Sequence, residues 1–387
     1  MAKQSHIEQL IHNLCPNGVE YKTLGELLDY EQPGKYIVKS TEYDDKYPTP
    51  VLTAGQSFIL GYTDETDGIY KASKKNPTLI FDDFTTSYHW VEFDFKVKSS
   101  AMKMLRPRKG VDVVFRYVYY AMLSIDYTPE EHTRQWISRY ALYTIPFPPR
   151  EIQEEIVRIV NSFSNLIDNI NEEIAARQKQ LDDVREKLFT DIKDNWREKA
   201  LEEVGQVEKG SGILKSDFVE VGRPCIHYGQ VHTYYGTSAK EVIAYISEKL
   251  YAKCKKAQTG DLVIATTSED VPACCKATAW LGKEDVAVSG DAHILHHNQN
   301  PLFMSYLFQT NLFSQQRALA AAGAKVTRVS GDKLKKFRFF FPPIEEQQAI
   351  AAKLETIEAF IANLNEERTL RQQQYEYYRA KLISLLK

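Results

Sequence analysis

The sequence predicts an α+β protein: two similar mixed α/β domains and two long helices, with an internal repeat relating the halves. Three observations carry this. Residues 147–189 and 341–383 agree at 17 of 43 positions at a constant offset of 194 with no gap, including Phe147/Phe341, the two prolines after each, Glu151/Glu345, Gln153/Gln347 and Asn169/Asn363. Apolar residues in both copies recur about every 3.5 positions, the mark of a coiled-coil seam. The segments preceding the copies, 1–146 and 196–340, present short apolar runs in the same order. Repetition on this scale means that one architectural unit is built twice.

Each copy opens on Pro-Pro, which precedes or starts a helix but cannot lie inside one. Glu151 and Glu345 fall in the first turn, where a carboxylate suits the helix dipole. In 147–195 the seam runs through Ile152, Ile156, Ile159, Phe163, Leu166 and Ile170, then resumes in shifted phase at Leu181, Val184 and Leu188, which indicates a stutter near Ile174. In 341–387 it runs through Ile350, Ile357, Ile361, Leu364, Tyr378 and Leu382. Each helix would be about 65 Å long, and a rod of that length needs a partner, the nearest being its own duplicate. Polar residues recur as well: Asn171, Glu172, Glu173, Arg177, Gln178 and Gln180 reappear as Asn365, Glu366, Glu367, Arg371, Gln372 and Gln374. A solvated face needs polarity rather than the same side chains in the same order, so these are candidates for a surface that docks another protein, used twice.

SHIEQLIHNL (5–14) predicts a short helix ended by Pro16-Asn17-Gly18. Leu24-Gly25-Glu26-Leu27 follows it much as Leu201-Glu202-Glu203-Val204 follows the first long helix, so the chain reads as a two-unit cycle opened inside one helix. In the first domain PVLTAGQ (50–56), TLIFDD (78–83), WVEFDF (90–95) and SAMKML (100–105) read as strands and VVFRYVYYAMLS (113–124) as a buried helix. In the second, PCIHYGQ (224–230), DLVIATT (261–267), AHILHH (292–297) and PLFMSYLFQT (301–310) answer the first, second and fourth of those strands and the helix. The frame is shared while the loops diverge. Thr133-Arg134 and Thr327-Arg328 keep the offset of 194, so the repeat reaches upstream of the helices.

The composition excludes several classes. No apolar run reaches the roughly 18 residues of a membrane span, and the start lacks the apolar stretch of a secretory signal, so a cytoplasmic protein is expected. Five cysteines without a C-x-x-C pair predict free thiols. The net charge of −3 is unevenly spread: residues 196–340 hold 19 Lys and Arg against 15 Asp and Glu, a surplus of four that leaves room for a basic face on the second domain. No phosphate loop, no Asn/Asp-Pro-Pro-aromatic tetrapeptide, no G-x-S-x-G and no H-E-x-x-H is present, so a self-sufficient nuclease or methylase is not supported.

What the sequence does offer suits binding of a phosphate-bearing polymer. Thr85, Thr86, Ser87, Tyr88 and His89 crowd the end of the first TLIFDD strand, and Thr266, Thr267 and Ser268 its counterpart, with Ser211, Tyr228 and Gln230 in the second domain. Hydroxyl, phenol and amide groups bond phosphate oxygens and base edges. Lys71, Lys74 and Lys75 in the first domain, and Lys209, Lys215, Lys253, Lys255, Lys256 and Lys325 in the second, are candidates for the charge, with Arg134 and Arg328 favoured because the repeat matches them.

With the repeated Phe-Pro-Pro-x-x-x-Gln start (147–153 and 341–347), the two domains and the long helix after each, the chain resembles the specificity subunit of type I restriction-modification systems over essentially its whole length. The resemblance implies two target-recognition domains (1–146 and 196–340), separated by helices 147–195 and 341–387 packed as an antiparallel coiled coil about a pseudo-two-fold axis. Each domain would read one half of a split, asymmetric target in double-stranded DNA. The helices would set the gap and bind two adenine methyltransferase subunits, to which restriction subunits attach. S-adenosylmethionine, ATP and magnesium then belong to partners and no cofactor or metal to this chain. The competing class is a coiled-coil scaffold with two heads for ligands other than DNA.

Overall fold

The computed structural model describes residues 5–55, 57–129, 131, 133–322 and 326–387. It divides into two compact units, Met1–Ile170 with Glu367–Lys387, and Asn171–Glu366. Each holds one α/β domain and about half of each long helix. Gln56 and Lys325 lie outside the described residues.

The long helices are Arg150–Thr190 and Ile344–Ser384, 41 residues each, and both pairs of bounds differ by 194. The repeated glutamine explains why both begin where they do. Gln153 and Gln347 are 1% exposed. Gln153 Nε2 donates to the Pro148 carbonyl (2.8 Å) while its Oε1 accepts the Val114 N–H (2.9 Å). Gln347 Nε2 donates to the Pro342 carbonyl (2.9 Å) and its Oε1 accepts the Asn300 N–H (3.0 Å). One side chain thus closes the first turn and ties it to the N-cap of the buried helix, Phe115–Met122 or Pro301–Leu307.

In the first unit Ile152, Ile156 and Val160, all fully buried, share a core with Leu382, Ile383 and Leu386, with Leu24, Phe81 and Trp136 of the domain, and with Ile7 of helix His6–Leu14. Phe163 stacks on Tyr378 with ring centroids 5.1 Å apart. In the second unit Leu181 and Phe189 share a core with Ile350, Ala351 and Leu354 and with Leu201, Phe303 and Phe339 of the domain. There Arg177 lies 5.4 Å over the Phe360 ring. Within each unit the helices therefore run antiparallel. Full burial of an Ile or Leu contributes roughly 1.5–3 kcal/mol, so the helix ends embedded in a domain hold the assembly. Leu166 departs from the expected seam, at 44% exposed: the straight helix gains phase on a 3.5 repeat and carries this position off the contact stripe.

The domains share one sheet order. In domain 1 the strands run Leu28–Glu31, Met102–Pro107, Thr78–Asp82, Tyr88–Val91. In domain 2 they run Gly205–Lys209, Ala292–His297, Leu262–Ala265, Lys276–Trp280, with Ser238–Ala239 added at the edge. A second sheet in each contains a parallel pair, Thr49–Leu52 with Lys96–Val97 and Arg223–Ile226 with Val286–Val288. Several expected strands are shorter than the apolar runs suggested: PVLTAGQ stops at Leu52 and DLVIATT is interrupted after Ala265, and two further cases have a visible cause. WVEFDF splits after Val91, because the Asp94 carboxylate takes the Ala72 N–H and the chain crosses to the other sheet at Lys96. PCIHYGQ stops at Ile226, because His227 and Gln230 form a capping box that starts helix Tyr228–Thr233. All five cysteines are free thiols, and no helix among the described residues is long and apolar enough to cross a membrane.

Candidate nucleic-acid interface

Strand register brings the two domains' candidate residues into correspondence. Phe81 pairs with Lys103 in domain 1 as Ile264 pairs with His293 in domain 2. Two residues further on, just past the end of the central strand, Asp83 or Thr266 repeats two main-chain features. Its N–H donates to Ala101 or Asp291 (2.9 and 3.2 Å), and its carbonyl accepts from Gln135 or Val329 (2.8 and 3.1 Å). Arg134 and Arg328 immediately precede those donors. The turn that follows closes on a left-handed residue, Thr86 (φ 59°) or Cys275 (φ 62°), whose N–H reaches Asp82 or Ala265 (2.9 and 2.8 Å). These are the two non-glycine residues with positive φ among the described residues. A left-handed residue with a side chain costs about 1–2 kcal/mol, and such strain collects where a loop must be aimed.

Side chains differ on this common frame. In domain 1 Lys103 and Asp83, each 1% exposed, form a buried ion pair (2.9 Å), and Asp83 Oδ1 also takes the Trp136 N–H (2.8 Å). Arg134, half exposed, stands 3.6 Å from Asp83 Oδ2. In domain 2 Thr266 Oγ1 and His293 Nδ1 are hydrogen-bonded at 2.8 Å. Burial, followed by the nearby Lys209 and Lys335, lowers the His293 pKa, and a Cβ on Gly331 would meet its Nε2 at 2.9 Å, so a side chain there would have to displace the imidazole. Arg328, 66% exposed, stands 3.9 Å from Asp291. Both arginine contacts are too long for hydrogen bonds, which leaves their donors available to a phosphate.

The structure gathers most of the domain 2 candidates. Lys209, Thr266, Thr267 and Arg328 line one cleft of about 430 Å³ together with His293 and Lys333. Lys215 and Tyr228 line a neighbouring one of about 340 Å³, with Gly290 and Asp291 common to both. Ser211 Oγ accepts the Lys255 N–H, Ser268 pairs with Thr327, and Gln230 is engaged by the cap at His227. Lys255 pairs with Glu208 (2.7 Å), and Lys256 sits over the Tyr251 ring.

Domain 1 is less well gathered. Thr85, Thr86 and Ser87 occupy the turn after the central strand, with Thr85 Oγ1 and Ser87 Oγ 2.6 Å apart. Lys71, Lys74 and Lys75 precede the strand, at its opposite end and about 16 Å away by strand rise. Lys71 is paired with Asp94 (2.7 Å). Tyr88 belongs to the core, packed among Phe81, Tyr119 and Tyr140, and burial raises its phenol pKa strongly. His89 Nε2 is bonded to the Gly55 carbonyl (3.1 Å). Lys103, His293, Asp291 and Lys333 went unrecognised in the sequence. The available signal was a lysine in mid-strand between two methionines.

On the long helices the repeated polar residues form the same ladder twice. Arg177 bonds Glu173 (2.7 Å) and Gln180 (2.7 Å). Arg371 bonds Glu367 (3.1 Å) and Gln374 (3.0 Å). Asn171, Glu172, Gln178, Glu366 and Gln372 are exposed, and Asn365 is half-buried with its Nδ2 on the Ile361 carbonyl.

Two domains on one frame, differing in the loops and charges at the strand ends, define a protein built to distinguish two targets. The chain belongs to the type I restriction modification DNA specificity domain family, whose model matches residues 16–176 and 193–371. It is similar to the EcoR124I/EcoR124II type I restriction enzyme specificity subunit of Escherichia coli, at 36% identity over 100% of this chain and 98% of that protein. Its fold is similar to that of the S subunit of a type I restriction-modification system from M. genitalium (TM-score 0.54, 13% identity, 95% of this chain and 96% of that one). It is equally similar to a chain solved in work on complex assembly and conformational transition of the type I R-M system (TM-score 0.55, 16% identity, 96% and 98%).

Proposed function

We propose that this chain is the non-catalytic DNA-reading subunit of a type I complex that methylates adenine at N6. Each domain reads one half of a bipartite, asymmetric target, and the helices set the gap. The observation that carries this is the doubled strand-end site: the same main-chain bonds and the same arginine, Arg134 or Arg328, under different loops. Phosphate contacts that position a protein are shared between targets, whereas base contacts differ, and the two sites divide in that way. The twice-built ladder from Asn171 to Gln180 and from Asn365 to Gln374 supports docking of two methyltransferase subunits, and exposed Phe360, Leu370 and Tyr377 on the second helix add apolar area. S-adenosylmethionine, ATP and magnesium are assigned to the partners, and restriction subunits join through them.

Co-expression with the methyltransferase, followed by mapping of methylated adenines, tests this. A bipartite motif with a fixed gap is expected, with a native mass of one specificity chain to two modifying chains. Exchanging residues 196–340 for another family member's domain should change one half-target only. Changes in both halves, or a complex with one modifying chain, would overturn the scheme.

A further inference from the structure

In domain 2 the turn between Ala265 and Cys275 spans nine residues (266–274), against three (83–85) at the matched place in domain 1. This longer loop has a cationic cleft on each flank. Its start, Thr266 and Thr267, lines the cleft with Lys209, Arg328 and Lys333. Its end, Pro272 and Ala273, lines a separate cleft of about 440 Å³ with Thr237, Lys276, Gln309 and Arg317. No carboxylate lines that second cleft. Among the described residues Lys276 Nζ reaches only the His232 carbonyl (3.2 Å). Arg317 makes long contacts to Ser314 Oγ (3.3 Å) and the Cys274 carbonyl (3.5 Å), and its buried Nε has no hydrogen-bond partner among the described residues. Two cations set into a protein wall without a counter-ion are costly unless an anion completes them.

We propose that the loop 267–274 enters a groove of the DNA duplex and that each flanking cleft holds a phosphodiester, the Lys276–Arg317 cleft being a site that domain 1 lacks. This rests on the DNA-reading function proposed above. The major groove is about 12 Å wide and bordered by the two phosphate chains, so an element seated in it brings its flanks to both. Domain 1 has Ser87 at the register position of Lys276 and, among the described residues, no helix corresponding to Asn311–Ala320, which carries Arg317. Domain 2 therefore makes more phosphate contacts, in line with the surplus of four positive charges in 196–340.

The test uses the full chain with its methyltransferase and a fluorescent duplex carrying the mapped target, titrated over a range of NaCl concentrations. Lys276→Gln and Arg317→Gln should each lower the slope of log K against log salt by about one, and together by about two, while the methylated motif stays the same. Arg317→Lys should keep the slope. An unchanged slope in the double variant, at wild-type melting temperature, overturns the proposal. So does a changed motif in Lys276→Gln. If Arg317→Gln melts early, Lys276→Gln decides alone. Inorganic phosphate that stabilises the wild type but not Lys276→Gln, with the DNA slope unmoved, would make the cleft a small-anion site and overturn the phosphodiester. Wild-type complex without salt-dependent duplex binding would instead remove the DNA-reading function itself.

Discussion

At the end of its central strand domain 1 buries a lysine and an aspartate, where domain 2 buries a histidine and a threonine at the same register positions. The contrast recurs in the second sheet. Lys96, 1% exposed and 3.0 Å from Glu65, stands where domain 2 has the fully buried Ala287. Around the first pair the main-chain hydrogen bonds are nonetheless the same, atom for atom. The frame is held by backbone bonds that any side chain permits, so the charges on it are free to diverge. A buried ion pair adds little net stability over neutral packing, but removing one partner leaves an uncompensated charge. Domain 1 should therefore be far less tolerant of single changes at these positions than domain 2.

The largest expected effect tests that asymmetry directly. Lys103→Met should destabilise the protein by about 3–5 kcal/mol, read by urea denaturation of the full chain. Removing one partner of the corresponding domain 2 pair, Thr266→Val at the position of Asp83, should cost about 1–3 kcal/mol. Installing the domain 2 pair, Asp83→Thr with Lys103→His, should recover most of the domain 1 loss. Equal losses from the two single changes would break the comparison.

A second measurement sharpens it through pH. In domain 2 burial lowers the pKa of His227, His293 and His297, the last to about 4. These imidazoles are neutral when folded and take up protons when unfolded, so their contribution is complete above about pH 6.5 and is lost as pH falls through the folded values. In domain 1 burial works to raise the Glu65 carboxyl, but the Ser40 N–H, the Lys96 ammonium and the Lys39 N–H outweigh it and hold the pKa low. Its stabilisation begins to fade only below the ordinary glutamate value of 4.5. Hydrogen exchange should thus show domain 2 opening first on acidification, and the reverse order would contradict the assignment.

The smallest effect concerns what the domains share. At Thr86 and at Cys275 glycine should be more stable than alanine by about 1 kcal/mol, the reverse of the usual ranking, because only glycine accepts positive φ without strain. Thermal melts of the four variants check this. A difference at one site but not the other would mean that the turns are not equivalent.

The helices were legible because their repeat is ungapped and their seam periodic. Both starts fall directly after Pro-Pro, and Arg134 and Arg328 were singled out by the constant offset alone. The rest of the site was hidden because that offset wanders inside the domains: 183 at Asp83/Thr266, 190 at Lys103/His293, 194 at Arg134/Arg328. Loop insertions and deletions of several residues shift each strand separately, and only strand register restores the match. Lys71, Lys74 and Lys75 lie away from the turn for a related reason, since proximity in sequence to TLIFDD did not say which end of that strand they flank. Tyr88 looked like a surface aromatic because a strand's two faces cannot be told apart when its neighbours are all aromatic or polar.

The interleaving of the units along the chain also bears on how the protein is made. The core of the first unit needs Leu382, Ile383 and Leu386, which leave the ribosome after every residue of the second unit has been added. At about 5–20 residues per second, the two hundred or so intervening residues take roughly 10–40 s. For that interval Ile152, Ile156 and Val160 lack their last neighbours, and Asn171–Glu366 is completed in sequence before those neighbours are added. Synthesis that stops early yields one finished domain beside an open apolar seam, a species that chaperones and proteases recognise, so the first domain's late closure acts as a check that the second has been built.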